Sequence, residues 1–173
     1  MSPLHALRPL TALLALALAA PALAFPSDDE VRAAMSTVRQ SAVAKPLLKS
    51  AYGYAIFPTV GRGAFAVGGA YGEGFVYRQG KRTGKTTLAQ VSIGLGAGGE
   101  AYTEIIFFKD KAAYERFVAG RLELNARATA AAGSAAAQGE MGYSDGVAIV
   151  TLSKGGLIAD ASVGGQHFSF EKL

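Results

Sequence analysis

Between Tyr52 and Tyr77 the aromatic residues Tyr52, Tyr54, Phe57, Phe65, Tyr71, Phe75 and Tyr77 alternate with Gly, Ala and Val at a period close to two. That period sends successive side chains to opposite faces of a pleated strand. It predicts strands over Tyr52–Phe57, Arg62–Gly69 and Glu73–Arg78, with Pro58 and the Gly69–Gly72 region as breaks. Gly61, Gly63, Gly68, Gly69, Gly72 and Gly74 lie inside the pattern. Glycine within strands marks bends, bulges or close backbone approach, so the sheet is expected to curve.

The periodicity changes on either side of this stretch. Val31, Met35, Val38 and Ala42 or Val43 recur at helical spacing. Ser27 and Glu30 have the spacing of a capping box at the helix start, Asp28 and Asp29 suit its positive end, and Pro46 is expected to end or kink it. Such an amphipathic helix can pack on a sheet or lie in a membrane surface. Thr86–Leu95 and Glu100–Phe108 predict two strands around the bend Gly94–Gly99. Asp110 caps an expected short helix, Lys111–Ala119, stopped by Gly120. Leu122–Thr129 alternates strictly, which predicts a strand, and Ala130–Gly142 is a stretch of small residues that extends it or forms a loop. Gly146–Ser153, Leu157–Val163 and Gln166–Glu171 are expected to form a meander joined by Lys154-Gly155-Gly156 and Gly164-Gly165. The sum is an α+β, β-rich chain: about eight or nine strands in a closed or nearly closed antiparallel barrel, with an N-terminal helix and one short internal helix. Closure is expected because it removes exposed strand edges.

The N-terminal end alters this picture. A basic Arg8, an apolar run over Leu10–Ala20 and small residues at Ala22 and Ala24 have the form of a signal peptide cleaved near Ala24. The run is shorter than the roughly 20 apolar residues needed to span a bilayer. Residues 25–173 are then one domain, periplasmic or secreted. With no cysteine, its stability is expected to come from packing rather than from disulfides. The net charge of +4 is too weak to argue for a nucleic-acid partner.

Candidate chemistry is sparse. Gly84-Lys85-Thr86 ends like a phosphate-binding loop, but Gln79 stands where that loop needs glycine and a strand pattern follows. Gly94-x-Gly96-x-x-Gly99 matches a dinucleotide fingerprint, yet the residues after it are again strand-like. His167 sits in an alternating strand without a nucleophile elbow elsewhere, and Glu100 and Glu104 share a strand face as a solvated or inward-facing polar pair. No catalytic residue, metal cluster or cofactor site is expected. Charge is more informative: Arg78, Lys81, Arg82 and Lys85 place four cations at an expected hairpin tip over Gln79–Lys85, which is either a solvated turn or an anion-binding tip.

Three stretches together resemble the SYLF domain family in an exported bacterial form. They are Lys49-Ser-Ala-Tyr-Gly-Tyr-Ala-Ile-Phe-Pro58, Gly63-Ala-Phe-Ala-Val-Gly-Gly-Ala-Tyr-Gly-Glu-Gly74, and Ser153-Lys-Gly-Gly-Leu157 followed by Val163-Gly-Gly165. The resemblance covers about Val31 to Leu173. It implies a single β-rich domain with an N-terminal helix, no enzymatic activity and binding of phospholipid headgroups, with actin association in fungal and animal relatives. In eukaryotic relatives a basic amphipathic N-terminal segment and a positive surface meet the membrane. The matching positions here are Lys45 and Lys49 beside Leu47 and Leu48, with Arg78, Lys81, Arg82 and Lys85 a second candidate from charge alone. The expectation is therefore a non-enzymatic module that binds anionic phospholipid or a membrane surface, with actin set aside for an exported chain. The alternative is a structural or interaction module of the cell envelope that self-associates or recruits a protein partner.

Overall fold

The structure is a computed structural model that describes residues 24–64, 68–92, 98–122, 142–153, 156–157 and 165–173. The expected signal peptide, the strand expected over Leu122–Thr129 and the small-residue stretch that follows it fall almost wholly outside these residues.

The capping box forms as expected at the start of α1 (Asp28–Gln40): Glu30 N–H donates to Ser27 Oγ at 3.3 Å, and Ser27 N–H donates to Glu30 Oε2 at 2.8 Å. The Ser27 backbone and hydroxyl donors hold the Glu30 carboxyl below its ordinary pKa. The helix does not run on to Pro46. It ends at Gln40, and a second helix, α2 (Ala44–Ser50), begins after three intervening residues. Pro46 is the third residue of α2, where its missing N–H would have had no intrahelical partner. Proline therefore lies within the opening turn of a helix instead of closing one.

Seven antiparallel strands follow, in the order β6-β5-β4-β1-β2-β3-β7. They are β1 (Gly53–Ala64), β2 (Gly68–Arg78), β3 (Lys81–Ser92), β4 (Gly98–Phe108), β5 (Val147–Ser153), the two-residue β6 (Gly156–Leu157) and β7 (Gln166–Lys172). Helix α3 (Lys111–Val118) lies between β4 and β5, with Asp110 Oδ1 accepting from Ala113 N–H at 2.9 Å and Gly120 leaving it at φ +66°.

Two of the expected breaks lie inside strands, which lowers the strand count. Pro58 sits in the central strand β1, within bulges against both β2 and β4. A bulge is one of the few sheet positions that tolerates proline, and the Pro58 carbonyl accepts from Thr103 Oγ1 at 2.8 Å. The glycines of β2 serve close approach, not a turn: a Cβ on Gly74 would stand 2.1 Å from Ile56 O across the strand pair.

The sheet has two apolar faces. Ile56, Phe75, Ile105, Phe107, Val150 and Leu152 form the outer one, covered by Val31, Met35 and Val38 of α1 and Leu47 of α2. Phe57, Val60, Val76, Leu88, Ile106 and Phe108 form the inner one, covered by Ala113, Tyr114 and Phe117 of α3. The inner face is strongly concave. Gln166 Nε2 on β7 donates to Glu104 Oε2 on β4 at 3.1 Å although β1, β2 and β3 lie between the two strands, and the Phe57 and Phe168 rings approach to 6.0 Å.

The sheet is nevertheless open, which corrects the expected closed barrel of eight or nine strands. Among the described residues β6 and β7 are its two edges and do not pair. The physical reason is α3, which occupies the concavity that side chains would fill in a closed barrel; Phe117 packs on Phe108 at 4.9 Å and on Phe168 at 5.3 Å. The expected terminal meander is corrected as well. β5 pairs with β4 and β6, whereas β7 crosses to the opposite edge and pairs with β3.

Gly74→Ala is expected to lower stability by about 3 kcal/mol or more, because backbone must move to admit the methyl group. Gly61, where a Cβ would meet nothing within 4 Å, should accept alanine at a cost below about 1 kcal/mol. Thermal unfolding followed by circular dichroism compares the two variants.

Candidate anion-binding site

Strands β2 and β3 join through Gln79 and Gly80, both at positive φ (49° and 79°), which is the geometry of a two-residue type I′ turn. The hairpin is thus tighter than the loop expected over Gln79–Lys85, and its cations stand on strand residues, not on a loop. A bulge between Val76 and Tyr77 sets their directions, with Val76 opposite Gly84 and Tyr77 opposite Arg82.

Arg82 and Lys85 turn to the outer face. Arg82 Nη2 donates to Asp28 Oδ1 at 2.7 Å and Nε donates to the Tyr77 hydroxyl at 3.0 Å, while its guanidinium lies 4.0 Å from the centre of the Phe75 ring. Tyr77 in turn stacks on Tyr54 at 5.0 Å. Burial, with Tyr77 alongside, pushes the Tyr54 hydroxyl above its ordinary pKa. Lys85 Nζ sits 4.9 Å from the centre of the Phe25 ring. Arg82 is therefore an anchor for the start of α1, already neutralised by Asp28.

Arg78 and Lys81 flank the turn as a register pair and line a pocket of about 530 Å³ at the open end of the concave face. The other walls come from Tyr114 and Val118 of α3 and from Phe170 and Lys172 of β7, with Thr83 at the base. Lys172 reaches this place because β7 pairs with β3 so that Lys172 stands opposite Gly84. A Cβ on Gly84 would lie 2.2 Å from the Phe170 ring, so glycine there lets the end of β7 close over the strand. Tyr114 OH donates to Thr83 Oγ1 at 3.0 Å, and Thr83 donates to Val76 O at 3.2 Å. Arg78 lies over the Tyr114 ring at 5.7 Å.

Among the described residues, Arg78, Lys81 and Lys172 form no ion pair. Three cations that form no ion pair among the described residues, set around hydroxyl groups and two aromatic rings, make a pocket suited to a phosphate or another small anion carrying an apolar portion.

The other basic segment lies on the outer face. Lys45 and Lys49 are exposed on α2, but Leu47 is 2% exposed within the outer core and Leu48 is half-buried against it. The fold thus gathers Arg78 and Lys81 into a pocket, places Arg82 at its rim, and leaves Lys85, Lys45 and Lys49 on the opposite side of the sheet. Reading the sequence missed Tyr114 and Lys172. Lys172 is in phase with the inward aromatics Phe168 and Phe170, so its face was readable; the strand it would join was not.

The remaining candidates settle into structural roles. Gly84-Lys85-Thr86 is part of strand β3, and Gly98 and Gly99 of the other glycine pattern open strand β4. His167 is exposed on β7, and Glu104 is buried and points inward, consistent with the inward-facing alternative rather than the solvated one. Among the described residues no three acidic or histidine side chains converge as metal ligands, and no helix is long and apolar enough to cross a membrane.

Comparison with known proteins bears on residues 89–172, from the later part of β3 through β7, which match the family model Ysc84, described as Las17-binding protein actin regulator. Over these residues the chain is similar to the Ysc84, or SYLF, family. The stretches Ser153–Leu157 and Val163–Gly165 lie within that match, and the two earlier stretches precede it. The chain is also 29% identical over 155 residues to Beta cell expansion factor A of Aeromonas veronii, an alignment covering 83% of this chain and 58% of that protein. The SYLF resemblance seen in the sequence is thereby borne out over residues 89–172, and the match is consistent with a lipid-binding or interaction module.

Leu47→Ala should cost about 2–5 kcal/mol of stability, the range for a fully buried leucine, whereas Lys45→Ala and Lys49→Ala should each change it by less than about 0.5 kcal/mol. Urea unfolding of the three variants measures the difference.

Proposed function

We propose that the chain is a non-enzymatic, exported module that binds anionic phospholipid headgroups, with the pocket of Arg78, Lys81, Thr83, Tyr114 and Lys172 as its headgroup site. The observation that carries this reading is the convergence of Arg78, Lys81 and Lys172 without an anionic partner among the described residues, beside an arginine that already has one. A headgroup phosphate would take charge-assisted hydrogen bonds from the two lysines and the arginine, while Tyr114, Val118 and Phe170 offer apolar surface to the adjoining glycerol backbone. Residues 1–24 would be removed during export, which separates the mature chain from cytoskeletal partners, so actin is no part of the reading.

Each basic residue close to an anionic bilayer contributes about 1 kcal/mol. Three in the pocket are weak alone. Lys45, Lys49 and Lys85 would raise the total to about 6 kcal/mol if the membrane also met the rim of the outer face, which corresponds to a dissociation constant of tens of micromolar. Binding should therefore be reversible and sensitive to salt.

Co-sedimentation with phosphatidylcholine vesicles, with and without phosphatidylglycerol, tests the proposal. The protein is expected to pellet only with the anionic vesicles and to be released by salt. Lys81→Glu with Lys172→Glu should weaken binding roughly tenfold or more. Binding that ignores headgroup charge and salt, or that survives both substitutions unchanged, overturns the reading.

A further inference from the structure

Strand β7 is an edge of the sheet, and its residues are ordered in a way that suits one partner. Leu173 N–H donates to Thr83 O on β3 at 3.1 Å. By the alternation of an antiparallel ladder, the N–H and C=O groups of Gln166, Phe168, Phe170 and Lys172 then point away from β3. Among the described residues no strand pairs with that side. His167, Ser169 and Glu171 are exposed on the outer face of the same strand, and Phe168 and Phe170 are half-buried on the inner face. An edge in this state is a template for another strand.

We propose that β7 pairs antiparallel with β7 of a second copy of this chain about a two-fold axis at Ser169. In that register Phe168 faces Phe170 and Gln166 faces Lys172, so every residue with outward backbone groups meets another of the same kind. His167 stands opposite Glu171 twice, once on each side of the axis. Both are on the outer face, where a cationic or hydrogen-bonding imidazole and a carboxylate complement each other. Registers centred two residues away in either direction bring fewer residues together and lose the His167 and Glu171 pairing. The isologous contact would extend one sheet across two chains and cover both edges. It shares Phe170 and Lys172 with the headgroup pocket, but it is argued from the strand edge and the His167 and Glu171 pairing, so loss of lipid binding would leave it standing.

The absence of cysteine makes the register directly testable. Ser169→Cys places two thiols on the axis in a non-hydrogen-bonded pair, where the Cα separation of about 4.5 Å suits a disulfide. The full domain carrying Ser169→Cys should form a reducible dimer under mild oxidation, and His167→Cys, whose equivalent lies across from position 171, should not. The unsubstituted protein should show a concentration-dependent dimer in sedimentation velocity. His167→Glu and Glu171→Lys should each weaken that dimer by roughly two- to thirtyfold, and mixing them should restore it as a heterodimer. Circular dichroism of each variant should match that of the unsubstituted protein, because the substituted positions are exposed. A monomer at every concentration, as when residues 123–141 of the same chain cover the edge, overturns the proposal, as does equal cross-linking from positions 167 and 169.

Discussion

The backbone of β2 lies against β1 so closely that Ile56 O occupies the space a Cβ at Gly74 would need. Much else in the structure depends on that approach. It occurs beside the Pro58 bulge, and bulged, glycine-rich pairs twist and bend more strongly than regular ones. A flatter sheet would leave β7 far from β4. In this one the side chains of Gln166 and Glu104 meet across the concave face, and α3 has a hollow to fill. The basic pocket follows from the same curvature, because the end of β7 comes close enough to the hairpin for Lys172 to join Arg78 and Lys81.

Polar groups inside the hollow add specificity. Glu104, Gln90 and Gln166 are all buried, and a buried carboxylate is costly unless donors surround it. Gln166 Nε2 is one such donor, so sliding β7 along β3 by two residues would bury Glu104 without it and place Phe168 where the carboxamide now sits. The register that satisfies Glu104 is also the register that sets Lys172 opposite Gly84.

Local features were legible in the sequence and distant pairings were not. Ser27 with Glu30, Asp110 and Gly120 mark helix ends through bonds within a few residues, and each does so in the structure. Pro46 and Pro58 misled because proline breaks elements only where its missing N–H is needed; a first helical turn and a bulge do not need it. Leu47 and Leu48 beside two lysines suit a membrane helix or a surface helix equally well, and only the outer apolar face of the sheet decides that Leu47 is core. The barrel failed on a long-range fact, the docking of α3 inside the curl. Of the candidate site, the cations of the hairpin were visible as a run of charge, but their division between two faces depends on a bulge that no local pattern announces.

The claim that joins these points is that curvature assembles an anion pocket from the hairpin, α3 and the end of β7. Titrating isotopically labelled protein with a soluble short-chain phosphatidylglycerol and following amide chemical shifts tests it most directly. Saturable shifts should map to residues 78–83, Tyr114 and residues 170–173. Shifts confined to Lys45–Lys49, or no shifts at all, would contradict it.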